Sequence, residues 1–256
     1  MSDANNSSEI NGKKVFFLYP TASVQNQIIT ELAQHEYEVY IIKNHIQIIR
    51  VLEKHPDSIL FVNIDEKMQK KDWEKWFSEK LSALSEIKLG IFTSDTSDEL
   101  HENFTGKYKV PCGFINLKVD MSGYINKIIE TLNSLNVKGR RKYLRASTKD
   151  ETTATMNMPF GGGIISGVIK DVSVVGISCV FENDPNLAKN ELVKNIQIRL
   201  QSMLLKVEAV VFGSRVVESE KIYVMIFTQR IDSEVKAKIR KYIQHNLQSK
   251  IDKEMK

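Results

Sequence analysis

The first 137 residues alternate between short apolar runs and stretches in which apolar residues recur every three or four positions. The first pattern is typical of a strand buried on both faces, and the second of an amphipathic helix. Strands are predicted at residues 14–19, 37–42, 58–64, 88–92 and 112–117. Helices are predicted at residues 25–34, 45–54, 73–84 and 121–135, with a weaker helix or a loop at 98–108. This alternation predicts an α/β domain with a parallel sheet.

The period of the pattern changes after residues 136–139, where a glycine ends the preceding helix and cations follow. Strand-like runs at residues 163–169, 176–181, 196–203, 205–212 and 222–228 predict an antiparallel barrel or sandwich. A helix at residues 233–253 is expected to pack its apolar stripe against those strands. The chain thus divides into a polar, disordered tail (1–12), an α/β domain (13–137) and a β-rich domain with a terminal helix (138–256).

The α/β domain resembles the receiver of response regulators, which has a flavodoxin-like strand order. Receivers phosphorylate an aspartate at the end of the third strand and bind Mg²⁺ through an acidic pair after the first. Here Tyr19 and Pro20 end the first strand, Asn63 stands near the acceptor position, and Asp65 comes slightly late. Two further residues do match the family, Thr93 and Lys118. The resemblance therefore implies a pseudo-receiver, a scaffold or docking module that is not phosphorylated.

Composition excludes several classes of protein. With 42% hydrophobic and 27% charged residues the chain is typical of a globular protein, and it has neither an apolar run of membrane-spanning length nor a secretory signal. We therefore expect a cytoplasmic protein without membrane insertion. Its two cysteines, Cys112 and Cys179, lack partners at metal-ligand spacing and are expected to be reduced core residues. The five histidines have no matched acid or nucleophile, so no enzyme activity, metal or cofactor is predicted.

The two halves differ in charge. Residues 1–138 carry 16 Lys and Arg against 19 Asp and Glu, a net charge of −3, whereas residues 139–256 carry 20 against 13, a net charge of +7. The basic half begins with a run that places five cations within residues 138–145 and contains no acid. An arginine cluster of this kind indicates an anionic partner, and phosphate is the leading candidate.

Two motifs connect this run to a known family. Arg141 and Arg145 form an Arg-x-x-x-Arg pattern just before the strands, and Asp171, Ser173 and Gly176 form an Asp-x-Ser-x-x-Gly pattern on an early strand. Together they resemble the PilZ domain, the bacterial receptor module for cyclic di-GMP, over about residues 139–245. The resemblance implies an all-β antiparallel barrel with a C-terminal helix. It also implies a non-enzymatic receptor in motility, biofilm or secretion control.

The resemblance assigns roles to the motif residues. Arg141 and Arg145 would bind phosphate or the guanine edge, and Arg140 would assist them. In this family, the position that Arg140 occupies is associated with whether one ligand or an intercalated pair of ligands is bound. Asp171 would accept guanine N–H groups and Ser173 would bond there or brace the strand. Gly176 would let the backbone turn. The arginines lie at the predicted hinge, so ligand binding is expected to reorient the two domains.

Alternative interpretations remain for several features. The β-rich domain could be a ligand-independent interaction module, and Asp171 and Ser173 could merely satisfy the backbone of a turn. The first domain is expected to contact a protein partner, and no nucleic acid polymer is expected to bind.

The three glycines at residues 161–163 favour a hairpin connection rather than a phosphate loop, since no Lys-Ser/Thr pair or helix follows. Trp73 and Trp76 are expected to be partly core or part of a docking face.

Overall fold

A computed structural model describes residues 12–148, 153–228 and 231–256. The chain forms two compact units, one made of residues up to Lys142 together with Leu247–Lys256, and one of Tyr143–Asn246. The predicted disordered tail, residues 1–12, lies outside the described residues except for Gly12. That glycine is buried in the first unit, where a Cβ would lie 2.7 Å from the carbonyl oxygen of Val137.

The first unit contains the predicted parallel sheet, with five strands in the flavodoxin-like order β2-β1-β3-β4-β5. The strands are β1 (Val15–Leu18), β2 (Val39–Ile42), β3 (Ile59–Asn63), β4 (Lys88–Thr93) and β5 (Phe114–Asn116). The first four are almost entirely buried, because helices cover both faces of the sheet and a separate apolar cluster fills each face.

Five helices follow the five strands in sequence. They are α1 (Ala22–Gln34), α2 (Ile48–Lys54), α3 (Lys70–Trp76), α4 (Asp98–Lys107) and α5 (Met121–Ser134). Helix α3 continues as one π-helical segment, Phe77–Leu81. The segment predicted as a weak helix or a loop is thus a helix, α4. Trp73 and Trp76 are 0% and 8% exposed and pack edge to face with centroids 5.5 Å apart, so they belong to the core rather than to a docking face.

The second unit is a barrel of six antiparallel strands. They are β7 (Ala154–Phe160), β8 (Gly163–Ser173), β9 (Gly176–Phe181), β10 (Leu192–Leu200), β11 (Met203–Val217) and β12 (Glu220–Phe227). The ring runs β8-β7-β10-β11-β12-β9 and closes through the β9–β8 pair, while a short strand, β6 (Arg145–Ser147), adds to β8 from outside the ring. The fold class predicted from the resemblance is therefore confirmed.

The sequence pattern missed two of these strands. β6 has three residues and lies in the basic run, where no apolar alternation marks it. β7 reads Ala-Thr-Met-Asn-Met-Pro-Phe, a composition with little intrinsic strand preference, and forms because Met156 and Met158 point into the core while the backbone pairs with both β8 and β10. The strand predicted at residues 196–203 also begins earlier, at Leu192, ahead of a register shift between Val193 and Ile196.

The terminal helix α6 (Ser233–Glu254) is present as predicted, but the expected packing of its whole stripe on the barrel was wrong. Its last turns belong to the first unit, where Ile251 is 2% exposed and joins the core cluster of one sheet face together with Leu247 and Met255. The physical reason is that this face, over the short helix α2, offers an apolar surface to those side chains.

Polar contacts fix the same segment at the edge of the sheet. The amide of Gln248 accepts a hydrogen bond from the Ile41 N–H at 2.9 Å and donates one to the Ile41 carbonyl at 3.0 Å. β2 is an edge strand, so Gln248 satisfies backbone groups that no neighbouring strand can reach. His55 Nε2 lies 3.2 Å from Glu254 Oε2, and burial and then Lys14 lower the pKa of His55 despite this carboxylate.

Within the ranges described, no helix combines the length and the apolar character that crossing a membrane requires.

We predict that Ile251→Ala destabilises the first unit by about 2–5 kcal/mol, the usual cost of truncating a buried isoleucine to alanine. Both tryptophans of the chain lie in this unit, so denaturant unfolding followed by tryptophan fluorescence reports on it specifically. Lys253→Ala, an exposed substitution on the same turns, is the control and should change stability by less than about 0.5 kcal/mol. Equal stability of the two variants would show that the helix end contributes nothing to this core.

Candidate functional site

The structure brings together Arg145 and Asp171, which are 26 positions apart in the sequence. Strand β6 runs antiparallel to the end of β8, with Arg145 opposite Ser173 and Ser147 opposite Asp171. Arg145 Nη1 lies 3.6 Å from Asp171 Oδ1, and the two side chains are 47% and 33% exposed. One residue of each predicted motif thus meets on adjacent strands, with charged groups that remain partly open to solvent.

A bulge in β8 determines which residue Asp171 faces on the other side. The pairing of β8 with β9 shifts by one position between Ile169, opposite Cys179, and Asp171, opposite Ser178. A bulge re-aims the side chains that follow it, and here it sets an aspartate beside a serine. The Ser178 hydroxyl donates a hydrogen bond to Asp171 Oδ2. Ser178 was not among the predicted site residues, and the only sequence signal for it is a lone hydroxyl in the apolar run of β9.

Ser173 is placed by its own turn. Its hydroxyl donates to the Gly176 carbonyl at 3.2 Å and accepts from the Val175 N–H at 3.4 Å, and the residue is 4% exposed. These bonds brace the two-residue turn that joins β8 to β9, as Ser side chains commonly do. A direct contact of Ser173 with a ligand stays a prediction.

Gly176 is required for a reason other than the predicted one. The motif predicts a backbone turn at Gly176, yet the φ of this residue lies outside the left-handed range, and the residue is the first of β9. A Cβ at this position would lie 2.3 Å from the carbonyl oxygen of Met225 on the neighbouring strand β12. The glycine therefore permits the close approach of β9 and β12 that closes the barrel.

The other arginines of the basic run lie in the first unit. Arg140 and Arg141 are exposed and directly precede the unit boundary between Lys142 and Tyr143. Lys142 is exposed as well, whereas Tyr143 is partly buried. The roles of Arg140 and Arg141 in binding a ligand stay predictions.

Both cysteines are buried, and neither is bonded in a disulfide. Burial, and then the charge of Asp171, raise the pKa of Cys179 to about 12, and burial raises the pKa of Cys112 to about 12 as well. At neutral pH both thiols are protonated, which makes them poor nucleophiles.

The carboxyl end of the first-unit sheet has the polar residues of a receiver in a different arrangement. Asn63 is 1% exposed and donates its amide to the Tyr19 carbonyl at 3.1 Å. Asp65 is exposed and accepts bonds from the Thr93 hydroxyl at 2.8 Å and from the N–H and hydroxyl of Ser94 at 2.6 and 2.7 Å. Burial alone would raise the pKa of Asp65, but the bonds from Ser94 and Thr93 lower it overall. The Asp65 carboxylate thus serves to hold the loop after β4.

No protein-family model and no curated protein matches the sequence. The chain is similar to the PilZ domain of YcgR from Escherichia coli with cyclic di-GMP, with a TM-score of 0.37 and 13% identity over 44% of this chain and 95% of that one. It is similar to the MrkH–cyclic di-GMP complex of K. pneumonia, with a TM-score of 0.41 and 21% identity over 46% of this chain and 57% of that one.

A third similarity is to a CheY-like receiver domain protein from Methanospirillum hungatei, with a TM-score of 0.38 and 17% identity over 48% of this chain and 97% of that one. The first two of these structures contain PilZ domains by their descriptions or names, and the third is a receiver domain. The chain spans little more than half the length of MrkH.

We predict that Gly176→Ala destabilises the barrel by several kcal/mol, because the new methyl group would overlap backbone that cannot move without separating β9 from β12. Gly213→Ala is the matched control, since a Cβ there would meet no atom within 4 Å. Thermal unfolding monitored by circular dichroism should show a marked loss for the first variant and almost none for the second. Equal midpoints for the two variants would contradict this account of Gly176.

Proposed function

We propose that this chain is a receptor for cyclic di-GMP that binds the ligand through Arg141, Arg145 and Asp171. The proposal is carried by the pairing of β6 with β8, which places the second arginine of one motif 3.6 Å from the aspartate of the other. Ser173 and Gly176 support this site indirectly. Ser173 stabilises the β8–β9 turn, and Gly176 permits the close approach of β9 and β12.

The chemistry of the ligand suits these residues. Cyclic di-GMP presents two phosphodiesters and two guanines. An arginine fork can bond a phosphate or the O6 and N7 atoms of guanine through two parallel hydrogen bonds, or stack on the purine. An aspartate can accept the guanine N–H groups. Arg140 supplies a further cation beside Arg141. In this proposal it influences whether one or two molecules of cyclic di-GMP bind. YcgR and MrkH were both solved with this ligand.

The proposed role requires binding without catalysis. In this proposal the protein acts in the bacterial cytoplasm and passes the signal to a protein partner in motility, biofilm or secretion control. The first unit would contact that partner as a pseudo-receiver, since the residues that would hold Mg²⁺ and accept phosphate in a receiver are replaced by Tyr19, Pro20 and Asn63.

We expect Arg145→Ala and Asp171→Ala each to weaken cyclic di-GMP binding by about tenfold or more, since a hydrogen bond to a charged group contributes about 1.5–3 kcal/mol. Arg141→Ala should act in the same direction. Isothermal titration calorimetry measures the affinity of each variant for cyclic di-GMP. The salt concentration is kept the same throughout, because salt screens part of the attraction between the arginines and the ligand. Lys142→Ala is the control, as it removes an exposed cation from the same run at a position that neither motif specifies.

Two results would overturn the proposal. One is the absence of saturable binding at micromolar cyclic di-GMP, which would favour the alternative of a ligand-independent interaction module. The other is equal affinity in wild type, Arg145→Ala and Asp171→Ala.

The arginine run also supports a proposed change in the arrangement of the two units. The boundary between the units falls inside this run, between Lys142 and Tyr143, so a ligand that grips both Arg141 and Arg145 fixes the backbone on either side of it. A ligand can shift such an equilibrium only by the difference in its affinity for the two arrangements.

We expect cyclic di-GMP to change the small-angle X-ray scattering profile of the wild-type chain. The change should be absent in Arg141→Ala at a ligand concentration that saturates this variant, because the contact before the boundary is then lost. Superimposable profiles of the free and the bound wild-type protein would show that binding does not move the units.

A further inference from the structure

The two oxygens of the Asp171 carboxylate have different neighbours. Oδ2 accepts a hydrogen bond from the hydroxyl of Ser178, a residue that is only 5% exposed. Oδ1 lies 3.6 Å from Arg145 Nη1, beyond ordinary hydrogen-bond distance, and the arginine is about half exposed. The contact with the serine is therefore fixed within the barrel, whereas the contact with the arginine is solvated and weak.

The contact between Asp171 and Ser178 results from the bulge in β8. Without the one-residue shift between Ile169 and Asp171, the β8–β9 register would set Asp171 opposite Ile177. The extra residue, Lys170, forms an ion pair with Glu220 at 2.8 Å. The bulge thus places a single hydroxyl directly across from the carboxylate.

We infer that Ser178 is the positioning residue of the ligand site, and that it keeps the Asp171 carboxylate oriented when Arg145 leaves it for the ligand. The inference rests on the proposed function. When Arg145 turns to a phosphate or a guanine, Asp171 loses its cation and could rotate about its side-chain bonds. The bond from Ser178 holds Oδ2 and leaves Oδ1 in position to accept a guanine N–H group.

The weak pairing of Arg145 with Asp171 also suits exchange of the arginine between the aspartate and a ligand. A half-exposed ion pair with a long contact contributes little free energy, so an anionic ligand can replace the Asp171 carboxylate as the partner of Arg145. A tight pair between Arg145 and Asp171 would compete with the ligand for both groups.

A double-mutant cycle on cyclic di-GMP affinity tests the inference. Ser178→Ala should weaken binding by on the order of tenfold, the effect of losing one hydrogen bond to a charged group. Ser178→Thr, which retains the hydroxyl, should bind close to wild type. In the Asp171→Ala background, Ser178→Ala should cause no further loss, because the serine acts only through the aspartate. Ser166→Ala, a half-buried serine of β8, is the control and should bind like wild type.

The outcomes separate the inference from the function on which it rests. Binding by the wild type that Asp171→Ala weakens and Ser178→Ala leaves unchanged would overturn the inference alone. Losses that add in the double variant would also overturn it, because the serine would then act by another route. Absence of binding by the wild type would overturn the proposed function and the inference together. Circular dichroism of each variant verifies that the barrel is folded.

Discussion

The second unit depends on the hydrogen bonding of strand β8, because this strand pairs with three other strands. On one side it pairs with β9 along most of its length, and on the other it pairs first with β7 and then with β6. The pairs with β7 and β9 close the ring and leave the barrel without an open edge. The bulge at Lys170 lies where β8 exchanges β7 for β6. The candidate site lies at that exchange, so the closure of the barrel and the position of the candidate site depend on the same strand.

The two units use polar residues in opposite ways. In the first unit Asn63 is buried against a backbone carbonyl, and Asp65 accepts three hydrogen bonds from Thr93 and Ser94, so these polar groups stabilise the fold. In the second unit Arg145 and Asp171 are partly exposed and only loosely paired. Charged groups that are held in place yet incompletely satisfied are the ones available to a ligand.

The sequence allowed the first unit to be predicted almost completely, because four of its five strands are buried on both faces and therefore appear as continuous apolar runs. The candidate site could also be located in outline, since the arginines and the aspartate fall in recognisable motifs.

Several features could not be predicted, because they depend on tertiary contacts. β7 forms through pairing with β8 and β10 rather than through the preferences of its own residues. The need for Gly176 arises from Met225, a residue almost fifty positions later. The contact between Asp171 and Ser178 depends on a bulge, and alternation alone would have set the aspartate opposite Ile177.

The return of helix α6 to the first unit has a consequence for the synthesis of the protein. A ribosome makes the five strands of the first unit before the second unit, but Gln248 and Ile251, which cover the edge of β2 and complete one face of the core, are made after the second unit. Until these residues have been made, the nascent sheet has an open edge at β2, of the kind that recruits other strands. A chain that stops before these residues would contain a first unit that lacks both the bonds to Ile41 and the Ile251 side chain in its core.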